Sequence, residues 1–453
     1  MDSFITYSIA FLVTLGILIT VHEFGHFWVA RRLGVKVLRF SVGFGKPLWS
    51  RRGADDTEYV IAAILLGGYV KMLDEREEPV HEAEQPRAFN RQPLWVRSAI
   101  VAAGPLANFL FAIAVLWLVF VLGETGIRSV VGEVLAESAA EQAGFRAGDE
   151  ILEVAGQPTP TWGAVLNALL VAARDDSDVL LRVRDSEQLE RLRTLPGGLI
   201  LRRAEQPEFL RGLGLAPRLP VAPPVIGEVL AGEAAAAAGL QPGDRVLALD
   251  GEAPASWDAL TERIRARPGQ GVELEIERAG KRLVLTLHIG EREQEGKRIG
   301  RIGAAPQVAD DLYDDYRVVL RLGAGEAVGA ALSKTWDSSL LILRVFGRLL
   351  TGEASLNNLG GPIAIAQSAG RSAEVGGVAF LKFLADISII LAVMNLLPVP
   401  VLDGGHLLYF LLEGIKGSAL SEQAQAIGQQ IGVAFLLALM GLAFYMDIAR
   451  LLG

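Results

Sequence analysis

At 453 residues, 51% apolar and 21% charged, the chain has room for two to four compact units, part membrane-like and part soluble. The net charge of −9 is spread without a basic run of the kind that grips phosphates, so no nucleic-acid partner is expected. Cysteine is absent, which excludes disulfides and thiolate metal sites.

In chain order, "FITYSIAFLVTLGILI" begins a first apolar span from Phe4 to about Ala30, within residues 1–34. No Lys or Arg precedes it, unlike a cleaved secretory signal, so it reads as a retained helix. Its end, "TVHEFGHFWVARRLG", sets His22 and His26 at i and i+4 on one helix face, where both imidazoles reach one metal ion. Glu23 beside them can take a proton from an attacking water and return it to a leaving amine. A charge at the centre of a span costs about 2.5 to 3.5 kcal/mol on insertion scales, so three ionisable groups together on an apolar helix point to function.

Residues 35–96 carry most of the basic residues between Arg31 and Arg97, which marks this segment as cytoplasmic. Within it "EYVIAAILLGGYVKML", Glu58 to Leu73, is too short for a helical span and has Gly67 and Gly68 in its middle. A β-hairpin dipping into the membrane and a plain cytoplasmic hairpin both fit. A second span, Ser98 to about Leu122, fills residues 97–124 and returns the chain to the outer side.

The external part contains a duplication at a spacing of 95 residues: "VVGEVLAESAAEQAGFRAGDEILEVAGQPTPTW" from Val130 lies over "VIGEVLAGEAAAAAGLQPGDRVLALDGEAPASW" from Val225. Each copy reads strand, short alanine-rich helix, Gly-Asp turn, strand, Gly turn and helix, then further strands. Two copies are too few for a solenoid. The pattern "AGxxxGDxILxxxG" resembles the PDZ domain in its circularly permuted bacterial form, over 128–218 and 222–308. That resemblance implies a groove for an added peptide strand, with backbone amides for a terminal carboxylate at Gly212, Leu213 and Gly214, and only the looser "GRIG" in the second copy. The plainer alternative is a pair of spacers or a size filter.

Residues 309–376 include "TWDSSLLILRVFGRLLTG", whose Arg344 and Arg348 recur at helical spacing as in an interfacial amphipathic helix. A third segment over 377–414 is apolar from Val378 to Leu397, carries Lys382 and Asp386, and runs into "NLLPVPVLDGG", so it reads as a broken span lining protein. A short cytoplasmic loop at 415–426 precedes a last span over 427–450, which leaves both termini outside. Catalytic zinc takes three protein ligands and keeps one position open. His81 sits in a charged loop and His288 ends a strand of the second copy, whereas the broken span offers Asp403 and His406 as third-ligand candidates. The residue chemistry does not choose between those two.

"HEFGH", "GPLANF", "LGGYVKM", "NNLGGPIAIA" and "NLLPVPVLDGG" together resemble the site-2 protease family of intramembrane zinc proteases, along nearly the whole chain. The resemblance implies one zinc ion held by His22, His26 and Asp403, with Glu23 catalytic, and His406 as a supporting residue. It further implies that Asn395 holds the substrate strand, that Pro398 and Pro400 shape the helix break, and that Asn108 packs near the site. Unwinding a transmembrane substrate requires a new strand partner, for which Gly67, Gly68 and Tyr69 are candidates. The expected fold is a polytopic helical membrane protein of four transmembrane helices and a membrane-associated β-hairpin, with two tandem permuted PDZ-like domains. The expected substrate is a single-span membrane protein of anti-sigma-factor type already trimmed outside, or a remnant signal peptide, in the bacterial inner membrane. The PDZ-like domains would be periplasmic, and the zinc would lie in the bilayer toward the cytoplasm. The rival from another class is a membrane-tethered PDZ adaptor or chaperone with a vestigial metal site.

Overall fold

The computed structural model describes residues 2–77, 79–173, 177–203, 208–294, 297–307, 309, 311–351 and 361–452. One compact unit gathers Met1–Glu124 and Val319–Ile448, and the other is formed chiefly by Thr125–Val318.

The first unit is built on helices α1 (Asp2–Arg32), α2 (Leu94–Leu122), α3 (Ala324–Leu350), α4 (Pro362–Val375), α5 (Gly377–Asn395), α6 (Asp403–Lys416) and α7 (Glu422–Leu452). Four stretches are long and apolar enough to cross a membrane: Ile5–Arg32, Leu94–Leu122, Gly377–Asn395 and Gln423–Ala449. Ala112, Val115, Leu116 and Val119 of α2 recur at helical spacing and bury against Ala385, Ile389 and Val393 of α5 and Ala331 of α3. Small residues bring α1 and α2 into backbone contact, because a Cβ on Gly25 would overlap the Ala103 carbonyl. The charge on α5 is paired: Lys382 donates to Glu124 at the end of α2. Asp447, buried on α7, accepts the N–H groups of Gly361, Ile363 and Ala364 and so caps the start of α4. Asn357 to Gly360 of the "NNLGGPIAIA" motif lie outside the described residues.

The broken span ends α5 at Asn395 and restarts as α6 at Asp403, which closes at Gly417 in the left-handed conformation. Between them Val399 N–H donates to Leu397 O and Val401 N–H to Val399 O, both at 2.7 Å. Pro398 and Pro400 therefore centre two successive three-residue turns, which their fixed φ favours.

The β segment differs from the expected hairpin. Strands β1 (Val37–Arg52) and β2 (Glu58–Met72) each double back. Val37 to Val42 faces Met72 to Gly68 in antiparallel order, while the pairs Arg39–Glu58, Phe40–Tyr59, Ser41–Val60 and Val42–Ile61 advance together. The two halves of β2 thus flank the first half of β1 instead of pairing with each other. The physical reason is backbone sign: a two-residue hairpin turn needs positive φ, which Gly67 and Gly68 lack, whereas Gly43 and Gly45 have φ of +97° and +86° and reverse β1.

The second unit repeats one pattern twice. Val131–Val134 pairs with Leu215–Pro217 and Ile226–Val229 with Ala304–Pro306, at matching offsets. Gly148 and Gly243 share φ near +93° (93° and 92°), and Ala155 and Asp250 share +49°. Thr161 and Ser256 cap Trp162–Ala172 and Trp257–Arg265 through their hydroxyls. Each copy has its own core, one around Leu169, Leu181 and Leu215, the other around Leu249, Leu274 and Ile276. They differ late in the sequence: the first copy inserts helices Gly197–Arg203 and Phe209–Leu213, the second a two-stranded ribbon of Gly290–Gln294 and Lys297–Arg301.

Candidate metal centre

One turn of α1 and the first turn of α6 meet at a buried point. His22 Nε2 and His26 Nε2 lie 3.3 Å apart, and Asp403 Oδ2 lies 3.2 Å from the first and 3.5 Å from the second. These are the three potential ligand atoms that cluster tightly among the described residues. Asp403 Oδ2 is a buried atom that accepts no hydrogen bond, and it converges with the two nitrogens on one point. Ligands on a tetrahedron with bonds of about 2.0 Å stand about 3.3 Å apart, so the donor set fits three corners of a zinc site and leaves the fourth free.

The elements that hold these atoms explain their aim. Asp403 begins α6, where unpaired N–H groups favour a carboxylate. Gly404 and Gly405 follow because a Cβ at either would overlap the carbonyls of Leu396, Leu397 or Val399, so only glycine lets the loop coil so tightly. Gly104 on α2 faces the histidines for the same reason: a Cβ there would run into the His26 ring. Behind the ligands, His26 Nδ1 lies 2.8 Å from Ile100 O and His22 Nδ1 lies 3.1 Å from Asn108 Nδ2. Ser388 of α5 donates to Asn108 O at 2.9 Å.

Glu23 is 8% exposed, and a Cβ on Gly68 would stand 2.8 Å from its Cγ, 2.8 Å from Ile19 and 2.8 Å from Ser41 O. The second half of β2 therefore runs directly beside Glu23. Tyr69 in that half accepts from Arg39 at 3.1 Å and stacks on Phe44. Asn395 is half-buried at the end of α5.

His406 stays outside the cluster. It packs edge-on against Tyr409 and lines a polar cavity of about 480 Å³ with Asp74, Arg76, Arg97 and Glu413. Arg97 donates to both carboxylate oxygens of Glu413, at 3.2 and 2.6 Å. His81 and His288 are exposed. In the first repeat, the N–H groups of Gly212 and Gly214 already donate to Glu208 O and Arg211 O, and Leu213 is fully buried. In the second, a cavity of about 360 Å³ is lined by Trp257, Arg265, Gly300, Arg301 and Gly303.

Residue reasoning missed Gly25, Gly104 and the Ile100 carbonyl. The first two sit in a "small" pattern that a close helix crossing requires; a backbone carbonyl leaves no sequence signal.

Residues 10–439 match the profile of Peptidase family M50. The chain is 46% identical to the regulator of sigma-E protease RseP of Escherichia coli K12, over 451 residues and 100% of both chains. It is likewise 46% identical to the regulator of sigma E protease of Salmonella typhi, over 442 residues and 98% of each. A protein named putative zinc metalloprotease from Vibrio cholerae is 44% identical over 445 residues, again 98% of each. With a zinc-fitting cluster that includes two histidines of a helix apolar enough for lipid, the chain belongs to peptidase family M50 and is an intramembrane zinc metalloprotease.

Proposed function

We propose that His22, His26 and Asp403 hold the zinc, that Glu23 is the catalytic acid–base, and that the substrate is cut as an extended strand laid beside Gly67, Gly68 and Tyr69. The observation that carries this reading is the convergence of three potential ligand atoms on one point, with Glu23, the neighbour of His22, packed against Gly68 in the second half of β2. Bound zinc would supply Lewis-acid polarisation of the scissile carbonyl and a more acidic water. Glu23 takes the proton from the attacking water and passes it to the leaving amine, so the peptide bond is replaced by a carboxylate and an amine. A helical substrate hides its carbonyls in its own hydrogen bonds; the half-strand Gly68–Met72 offers backbone partners to replace them, and Asn395 would hold the other side.

The substrate in this reading is a single-span membrane protein of anti-sigma-factor type trimmed on its outer side, with remnant signal peptides as a second class. The protein lies in the inner membrane, with the repeats and both termini periplasmic and the zinc toward the cytoplasmic face. Residues 128–218 and 222–308 are PDZ-like domains in permuted form: in each, a late strand closes against the first. Of the two, the second offers the more open place for a peptide C-terminus, with Arg265 and Arg301 at its rim.

The test is to incubate the purified protein with a model single-span substrate, with and without chelator and as Glu23→Gln, and to map the products by mass spectrometry. Cleavage inside the apolar segment that needs both metal and Glu23 is expected. A cut outside that segment, or one that persists in Glu23→Gln, would sink the proposal.

A further inference from the structure

We infer that Asn108 is the positioning residue for His22, and that its side-chain oxygen accepts the His22 Nδ1 proton when the zinc is held. The inference rests on the reading of His22 as a zinc ligand through Nε2. A neutral imidazole that gives one nitrogen to a metal carries its proton on the other and needs an acceptor there. For His26 that acceptor is the Ile100 carbonyl, 2.8 Å from Nδ1, a group that can only accept. For His22 the neighbour is the Asn108 amide, with Nδ2 drawn 3.1 Å from Nδ1 while Oδ1 is buried without a partner.

That orientation suits a His22 whose proton is on Nε2, the nitrogen that zinc requires bare. Once Nδ1 carries the proton, two donors would face each other across 3.1 Å with an acceptor stranded nearby. Turning the amide by half a revolution exchanges two groups of nearly the same size, removes the donor clash and gives Oδ1 its bond. The NH2 group then occupies the place of the stranded oxygen, a smaller cost than the clash it relieves. Asn108 cannot swing away instead, because its side chain is 0% exposed and packed on all sides. Helix α2 thus supplies the acceptors behind both histidines, one from its backbone and one from a side chain that can adapt.

The experiment measures zinc affinity by competition with a chelator in the full-length protein in micelles, and the d–d absorption of the cobalt-substituted form. The variants are Asn108→Ala, which removes the acceptor, Asn108→Asp, which keeps one, and His22→Ala. Asn108→Ala is expected to weaken zinc by about ten- to a hundredfold and shift the cobalt bands. Asn108→Asp is expected to stay within about threefold of the parent with the bands restored, which a packing role would not produce. Equal losses in both variants, or none in Asn108→Ala, would overturn the inference. If His22→Ala also holds zinc like the parent, the ligand assignment itself has failed.

Discussion

Two aspartates in different units of the molecule, one buried and one half-buried, show how this chain separates holding from acting. Asp244, in the Gly-Asp turn of the second repeat, is saturated: Arg278 Nε donates to Oδ1 at 2.7 Å, while Arg278 Nη2 and the Gln241 N–H donate to Oδ2 at 2.7 and 2.8 Å. Asp403 is half-buried, yet its Oδ2 is shielded from solvent, accepts no hydrogen bond and meets two imidazoles at a common centre. An aspartate that stabilises a fold has its lone pairs used up, whereas one that awaits a metal leaves them aimed and unspent.

Substituting each aspartate is the strongest way to break that contrast. Asp403→Ala is expected to abolish cleavage and lower zinc affinity by more than about a hundredfold, yet change the heat stability of the metal-free protein little, because it removes a half-buried carboxylate whose Oδ2 accepts no hydrogen bond. A large loss of metal-free stability would place Asp403 with Asp244 as a structural residue. Glu23→Gln should cut the rate by about 10²- to 10⁴-fold with zinc content unchanged, read by single-turnover cleavage and metal analysis. Asp244→Ala should do the reverse, costing the second repeat about 2 kcal/mol by hydrogen exchange, with zinc binding and its affinity untouched.

The smallest effect compares the two repeats through pH. In the second, burial raises and the Arg278 guanidinium more than offsets it, so the Asp244 pKa ends below the usual carboxylate range. In the first, burial pushes Asp149 up and the Asp185 charge adds to it, while the Arg146 N–H and the more distant Arg193 charge only partly offset the rise. A raised folded-state pKa contributes stability that is present below the unfolded value and lost as pH rises through the folded one; a lowered pKa does the opposite. Going from neutral pH toward about 4, residues 131–217 should gain protection relative to residues 226–306, and below about 3.9 the second repeat should begin to lose its own. Exchange rates corrected for their intrinsic pH dependence check this, and parallel changes in both repeats would refute it.

Much of this was readable from residue order because the relevant physics is local. His22 and His26 share a helix face by spacing alone, the four apolar stretches announce themselves by length, and the repeat carries its glycines at the positions where φ is positive. What resisted reading was long-range or sterically subtle. Asp403 and His406 are equivalent in composition, and only the fold directs one at the histidines and the other into a polar cavity. Gly67 and Gly68 looked like a turn because glycine permits one; their neighbours demanded close packing against Phe44 and Glu23 instead, and the reversal went to Gly43 and Gly45. Asn108, expected only to pack, touches His22 through an atom whose identity matters.

The join between α1 and α6 also has a consequence for biosynthesis. His22 and His26 are made early, while Asp403 follows about 377 residues after His26, beyond the whole of Thr125–Val318. At synthesis rates of about 5 to 20 residues per second, the gap lasts roughly 20 to 75 seconds. On the proposed ligand set, the nascent chain has two histidines and a glutamate but no third ligand throughout that gap, so proteolysis waits until Asp403 is made.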